Sequence, residues 1–443
     1  MLHGSVFRPL LRFSVPLVLT GWLQMLFSSA DSLVVGRFAG ADALAAVGAT
    51  FSFVMLLVSF FGGLSTGVTV CAANDIGAKD ESGFRETMHV SLLLAFLIGC
   101  LVLILGELLS APVLRMMNAP ANVLDSAVLY LRLYFLCMPA QMVYNTTAAL
   151  LRARGDSRKP LIFLAVSGAG NLILNVILVA FLHWDVAGVA IATIATQYLS
   201  AVLGLHALRH WEVPYTLHLN SLCLRKNKVL KILKIGLPAG LQSSMLAASD
   251  IPLQTAVNSL GSMAVSGNSA ALTVDGIVFS TMESFAQACT VFTGQNAGAR
   301  QHERTKTILL NSMMITVVSG LIMGWFGYFL RYPILRAFLP EAPEAVAFGV
   351  DRVRAVATMA FIYGVMTSLN SSLRGYGISA EPAIINIVAL FGLRLCWAAF
   401  YFPHHQTLFH LYISYPIAWT LAIVMGLCIY RPLMRKAQGK FVR

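Results

Sequence analysis

A carboxylate set inside an apolar stretch has little to do there except hold a cation or a proton, and Asp31 is such a residue. It lies about five residues from the end of the apolar run 11–36, some 8 Å deep at about 1.5 Å per residue. Ionisable groups at bilayer depth cost roughly 2.5–3.5 kcal/mol on insertion scales, so each one is a candidate for function. Asn171 and Asn175 stand four residues apart in another run and so share one helix face. Thr193, in the next run, comes with Asn175 to a depth of about 10–12 Å, close to Asp31. One carboxylate, two amide oxygens and a hydroxyl form a donor set for a proton or a hard cation such as a transient Na⁺. The plainer use of the amides and hydroxyls is to bond helices together, a task for which an unpaired carboxylate is poorly suited.

The second half of the chain carries a different set: Asp250, Asp275, Glu283 and Arg394. Asp250, Asp275 and Arg394 fall at similar depths, and Glu283 lies about 12 Å deeper than Asp275. The spacing predicts a neutralised network in which Arg394 pairs with Asp275 or Asp250. Three acids against one base would also leave negative charge over for a cationic ligand.

Other chemistry finds no foothold. His404, His405 and His410 lack the spacing of ligands on one helix face, and the seven cysteines include no CxxC pair, so they read as packing residues. No GxxxxGK[ST] loop is present, which argues against ATP-driven work by this chain. No Ser-His-Asp or Cys-His arrangement stands out, and neither an enzyme nor a bound cofactor is expected.

The elements that must position these residues are membrane helices. Hydrophobic residues make up 58% of the chain and charged ones 11%, under half the usual charged share of a soluble domain. Twelve runs are long enough to cross a bilayer: 11–36, 43–73, 89–111, 127–149, 161–183, 186–207, 233–258, 264–296, 307–330, 349–371, 382–404 and 408–431. Most lysines and arginines, among them Arg8, Lys79, Arg152, Arg300, Arg374 and the tail 431–443, fall on the side of the N-terminus. The other side has only Arg37, Arg115, Arg132, Arg331, Arg336, Arg352 and Arg354. The positive-inside rule therefore puts both termini in the cytoplasm. The net charge of +12 is this asymmetry in sum, and it sits in short loops rather than in a nucleic-acid-binding patch.

The chain also repeats itself. Pro16, Gly40, Gly77-Ala78, Leu151-Arg152, Gly155 and Pro160 recur as Pro238, Gly261, Gly298-Ala299, Leu373-Arg374, Gly377 and Pro382, each 221 or 222 residues on. Six runs per copy return the chain to its starting side. The predicted fold is thus an all-α polytopic membrane protein, with two parallel six-helix bundles related by a pseudo-two-fold axis. The expected units are 1–207, a cytoplasmic linker 208–232, and 233–443 with a basic tail.

With "SSADSLVVGRFAGADALAAVG", "LLRARGDSRKP" and its echo "SLRGYGISAEP", the chain resembles the multidrug and toxic compound extrusion family over essentially its whole length. The resemblance implies a secondary antiporter that exports lipophilic small molecules, organic cations above all, against protons or sodium ions by alternating access. It implies an inner-membrane monomer in which Asp31 is the coupling carboxylate of helix 1, with Asn171 and Thr193 at the matching positions in helices 5 and 6. Asn175 stands where that pattern has an aspartate, which favours protons over sodium. A flippase for a lipid-linked saccharide and a non-transporting scaffold are the alternatives, the first disfavoured by the net acidic intramembrane charge.

Overall fold

The computed structural model describes residues 1–117, 123–212, 215–340 and 342–442, except for the side chains of 32, 39–45, 49, 52 and 440–442. Arg443 of the basic tail lies outside them, as does the side-chain setting of the repeat residue Gly40. All regular elements among the described residues are helical. A lipid-embedded chain satisfies its backbone hydrogen bonds within each helix, and the apolar runs demand that solution.

The first half contributes α1 (Phe7–Val34), α2 (Gly40–Gly77), α3 (Glu81–Met116), α4 (Leu124–Phe135), α5 (Met138–Ala153), α6 (Arg158–Asn175) and α7 (Asp185–Arg209). The second contributes α8 (Lys226–Ala248), α9 (Asp250–Asn258), α10 (Ser262–Gly298), α11 (His302–Phe329), α12 (Arg331–Phe338), α13 (Pro343–Val356) and α14 (Ala360–Gly375). It ends with α15 (Ala380–Asn386), α16 (Leu393–Cys396), α17 (Leu408–Tyr412) and α18 (Ser414–Val442). Pro16 and Pro238 lie inside α1 and α8 at matching places.

Eight described segments are long and apolar enough to cross a membrane, or nine with α4 and α5, which meet at 45°. The runs at 233–258, 264–296 and 349–371 are helical too, but they are too polar or too broken to pass on apolarity alone. They are the segments that carry Asp250, Asp275, Glu283 and Arg352. Helix α8 starts at Lys226, inside the stretch expected as a linker. The Lys228 Nζ reaches Asp75 at 2.9 Å, with the Gly83 carbonyl and Thr87 hydroxyl at 3.0 and 3.1 Å. Lys228 therefore ties α8 to α2 and α3 instead of facing water.

Each half has its own core, around Phe84, Met88, Leu150 and Leu208 in one and Leu390, Tyr412 and Trp419 in the other. Leu10, Phe13, Phe292 and Ile308 form a smaller cluster between them. The halves meet chiefly where α1 packs on α10 and α2 packs on α8 and α10. Gly63 and Gly67 of α2 face Gly240 and Gly236 of α8 so closely that a methyl added at Gly67 would stand 2.8 Å from the Gly236 nitrogen. At the ends of α2 and α10, Gly77 lies against the Gln295 backbone and Gly298 against the Asn74 backbone. The duplicated Gly-Ala pairs thus pack reciprocally at the basic end.

Candidate functional site

Asp31 lies one turn before the end of α1, where the chain passes into a π-helical turn at Val35–Ala39. Asn171 and Asn175 close α6, which passes into another π turn at Val176–Phe181. Such turns are uncommon and collect at functional sites, because the wider ring frees backbone and side-chain positions. The two helix ends meet: Asn175 Nδ2 donates to Asp31 Oδ1 at 2.7 Å. The Asn171 amide nitrogen, turned toward Asp31, lies 2.9 and 3.1 Å from its two oxygens, leaving the amide oxygen to accept from Thr196 Oγ1 at 3.3 Å. The Asn175 oxygen is buried and has no partner among the described residues. A half-buried carboxylate next to a vacant acceptor suits a proton that moves on and off, or a small hard cation.

Sequence reasoning brought Asp31, Asn171 and Asn175 together, as the structure does. Thr193 is different: its hydroxyl donates to the Val189 carbonyl of its own helix at 2.9 Å. Thr196, one turn further on, takes the place beside Asn171. The two threonines lie three residues apart on α7, and depth alone does not separate them.

In the second half, Asp275 pairs not with Arg394 but with Arg352, Nε to Oδ2 at 2.7 Å. Arg352 also donates to Asn268 Oδ1 at 2.8 Å, and its guanidinium lies 4.2 Å from the centre of the Tyr412 ring. The charge pattern of the sequence puts Arg352 on the outer face, whereas its side chain is buried. Its position three residues inside the run 349–371 was the signal available. Arg394 lies 3.5 Å from Asp250, donates to Ser249 Oγ at 2.8 Å, and stacks 3.7 Å from the Tyr415 ring centre. Tyr415 also donates to Asp250 at 2.9 Å, and Tyr363 donates to Glu283.

Between the halves lies a cavity of about 400 Å³, walled by α1, α2, α5, α10 and α14. Its charged lining residues are Arg152, Glu283 and Arg374. Arg152 and Arg374 were expected in loops on the basic side, but at the ends of α5 and α14 they point inward. Counting Arg352, Arg374 and Arg152, the acidic surplus expected inside the membrane does not exist, and the case for a cationic ligand that rested on it falls away.

The MatE family model matches residues 16–178 and again residues 238–399. The chain belongs to the MatE family. Two matches to one model also account for the sequence repeat, since each half is a copy of the family's unit. Among relatives, the chain is 26% identical over 444 residues to the probable multidrug resistance protein YoeA of Bacillus subtilis (strain 168), covering 98% of this chain and 95% of that one. It is 28% identical over 404 residues to the probable multidrug resistance protein YpnP of the same strain, with 90% and 89% covered. A crystal structure described as MATE in the bent conformation superposes with a TM-score of 0.90 at 20% identity, covering 99% of this chain and 98% of that one. The likeness shows the MatE fold of twelve helices, and with it a multi-pass membrane protein.

Proposed function

We propose that this chain is a secondary exporter of amphipathic small molecules, coupled to inward proton flow through Asp31. The observation that carries the proposal is the vacant, buried Asn175 oxygen beside the Asp31 carboxylate. An ionised Asp31 takes the Asn175 N–H, and a protonated one has an O–H to donate to an amide oxygen, so the pair serves both states. Asn171 and Thr196 fix the geometry. The halves, 1–207 and 233–443, rock about α1/α10 and α2/α8 as alternating access requires, with the segment 208–232 between them. The basic end, with both termini, faces the cytoplasm of a cell membrane.

Na⁺ is the other ion the oxygen set would accept, though with one carboxylate where hard cations favour several anionic ligands. A lipid-linked pyrophosphate would call for more unpaired cations than the cavity lining supplies. The names of the Bacillus subtilis relatives agree with drug export.

The test is efflux of a fluorescent substrate from proteoliposomes under an imposed pH gradient or an imposed sodium gradient. Asp31→Asn should fold and insert normally and lose gradient-driven export, since an amide does not exchange a proton near neutral pH. Undiminished export by that variant would remove Asp31 from the coupling step.

A further inference from the structure

The repeat makes the central cavity chemically lopsided. Arg152 and Arg374 are repeat equivalents and both line it. Arg374 is held: its Nη2 donates to Gln242 at 2.7 Å, and Glu283, bonded by Tyr363, lies within electrostatic reach. Arg152 has neither support. Thr20 stands where the second half has Gln242, and its hydroxyl is already bonded to the Pro16 carbonyl at 2.7 Å. Gly62 stands where the second half has Glu283 and offers no carboxylate. Among the described residues the Arg152 guanidinium makes no hydrogen bond or ion pair, and its Nε is buried without a partner.

An unpaired guanidinium inside a membrane protein is costly unless something anionic comes to it. Around Arg152 the cavity supplies the amides of Gln141, Asn145 and Gln24, while Leu17 and Val58 add apolar surface. A volume of about 400 Å³ falls within the roughly 300–1,000 Å³ range of small-molecule sites. We infer that the central cavity binds amphipathic molecules bearing one anionic group, a carboxylate or a phosphate ester, with that group on Arg152. This rests on reading the chain as an exporter, and it names the charge class of its cargo. A guanidinium offers a carboxylate two parallel N–H donors, a geometry that an ammonium lacks.

The experiment measures equilibrium binding to the purified full-length protein in detergent, with no gradient, so that coupling plays no part. The probes are dansyl-labelled undecanoate, its methyl ester and the matching trimethylammonium compound. The carboxylate should bind at least tenfold tighter than the ester, and the ammonium compound weakest of the three. Arg152→Gln should abolish the preference, Arg152→Lys should retain part of it, and Arg374→Gln should reduce it less. Equal binding of the three probes, preference for the ammonium compound, or no binding at all overturns the inference. So does an unchanged preference in Arg152→Gln. If that variant fails to fold, the ranking in the parent protein and Arg152→Lys still decides. A confirmed preference without pH-driven efflux would sink the coupling proposal alone, whereas Asp31-dependent efflux of the ammonium compound would sink this one alone.

Discussion

Arg352 and Asp275 lie 77 residues apart in the chain and 2.7 Å apart in space, with side chains only 4% and 1% exposed. Removing one member of such a pair strands the other, at a cost of about 3–5 kcal/mol. Arg352→Met should therefore lower the melting temperature in detergent sharply, and Arg352→Met with Asp275→Leu should recover most of it. Arg394→Met should cost less, because its partner Asp250 is 60% exposed and 3.5 Å away. Equal losses for the two arginines would mean that burial does not rank these pairs.

The two copies differ in how they start the helix after the Gly-Ala pair. Asp80 caps α3, its Oδ1 accepting from the Gly83 N–H and the Ser82 hydroxyl, each at 2.8 Å. The Gly83 bond first, then the Ser82 bond, hold its carboxyl below the ordinary value. A depressed folded value means the cap's contribution is complete above the ordinary carboxyl range and fades as pH falls through the folded value. Asp80→Ala should cost about 1 kcal/mol at neutral pH, with the difference shrinking in acid melts. Gln301 caps α11 with no side-chain bond, so Gln301→Asp should add a similar amount. A melting temperature unmoved by Gln301→Asp would count against the equivalence of the two starts.

Lys79 and Arg300 end α2 and α10 in the left-handed region, with φ of 56° and 59°. A side chain there costs energy that glycine avoids, and helices commonly stop on glycine at this position. Lys79→Gly and Arg300→Gly should each stabilise the protein by a few tenths to about 1 kcal/mol, the gain being offset in part by glycine's freedom in the unfolded chain. A loss of stability in either variant would show that the charge, not the backbone, matters at that turn.

Asn175→Asp would set a second carboxylate against the first at the present 2.7 Å amide contact. Like charges this close repel, and a bound Na⁺ relieves them while gaining anionic oxygen ligands. Export by the variant should become sodium-dependent in proteoliposomes loaded with and without a sodium gradient. If the parent and the variant respond alike to sodium, α6 does not share a cation site with Asp31.

The parts of this architecture that the sequence disclosed were those encoded by spacing along one helix or by identity across the repeat. Asn171 and Asn175 share a face because they are four residues apart, and a depth estimate was enough to bring Asp31 to them. The Gly-Ala echo disclosed the repeat, whose two copies meet at Gly77 and Gly298. Of the pairings between helices, Arg394 with Asp250 was one of the two expected and is present, whereas nothing in the spacing of Asp275 names Arg352 as its partner. Arg152, Arg374 and Lys228 lie at the expected end, but the inward turn of their side chains is hidden for another reason. A long basic side chain near a helix end can turn into the protein or out to water, and the positive-inside rule counts it the same way in either case. Depth along α7 points to Thr193, but rotation about the helix axis turns Thr196 toward Asn171.

Gly77 packs on the backbone beside Gly298, and Gly298 on the backbone beside Gly77. This is the contact pattern of an isologous dimer, in which one surface meets its own copy across a two-fold axis. Two separate copies of one such half would make this contact twice, residue for residue. In such a homodimer every substitution lands twice, so a free arginine on one side and a tethered one on the other would be out of reach. A single chain that carries both copies is free of that constraint. Gly62 and Glu283, or Thr20 and Gln242, can then differ at equivalent places, and a once symmetric chamber can acquire a polarity of its own.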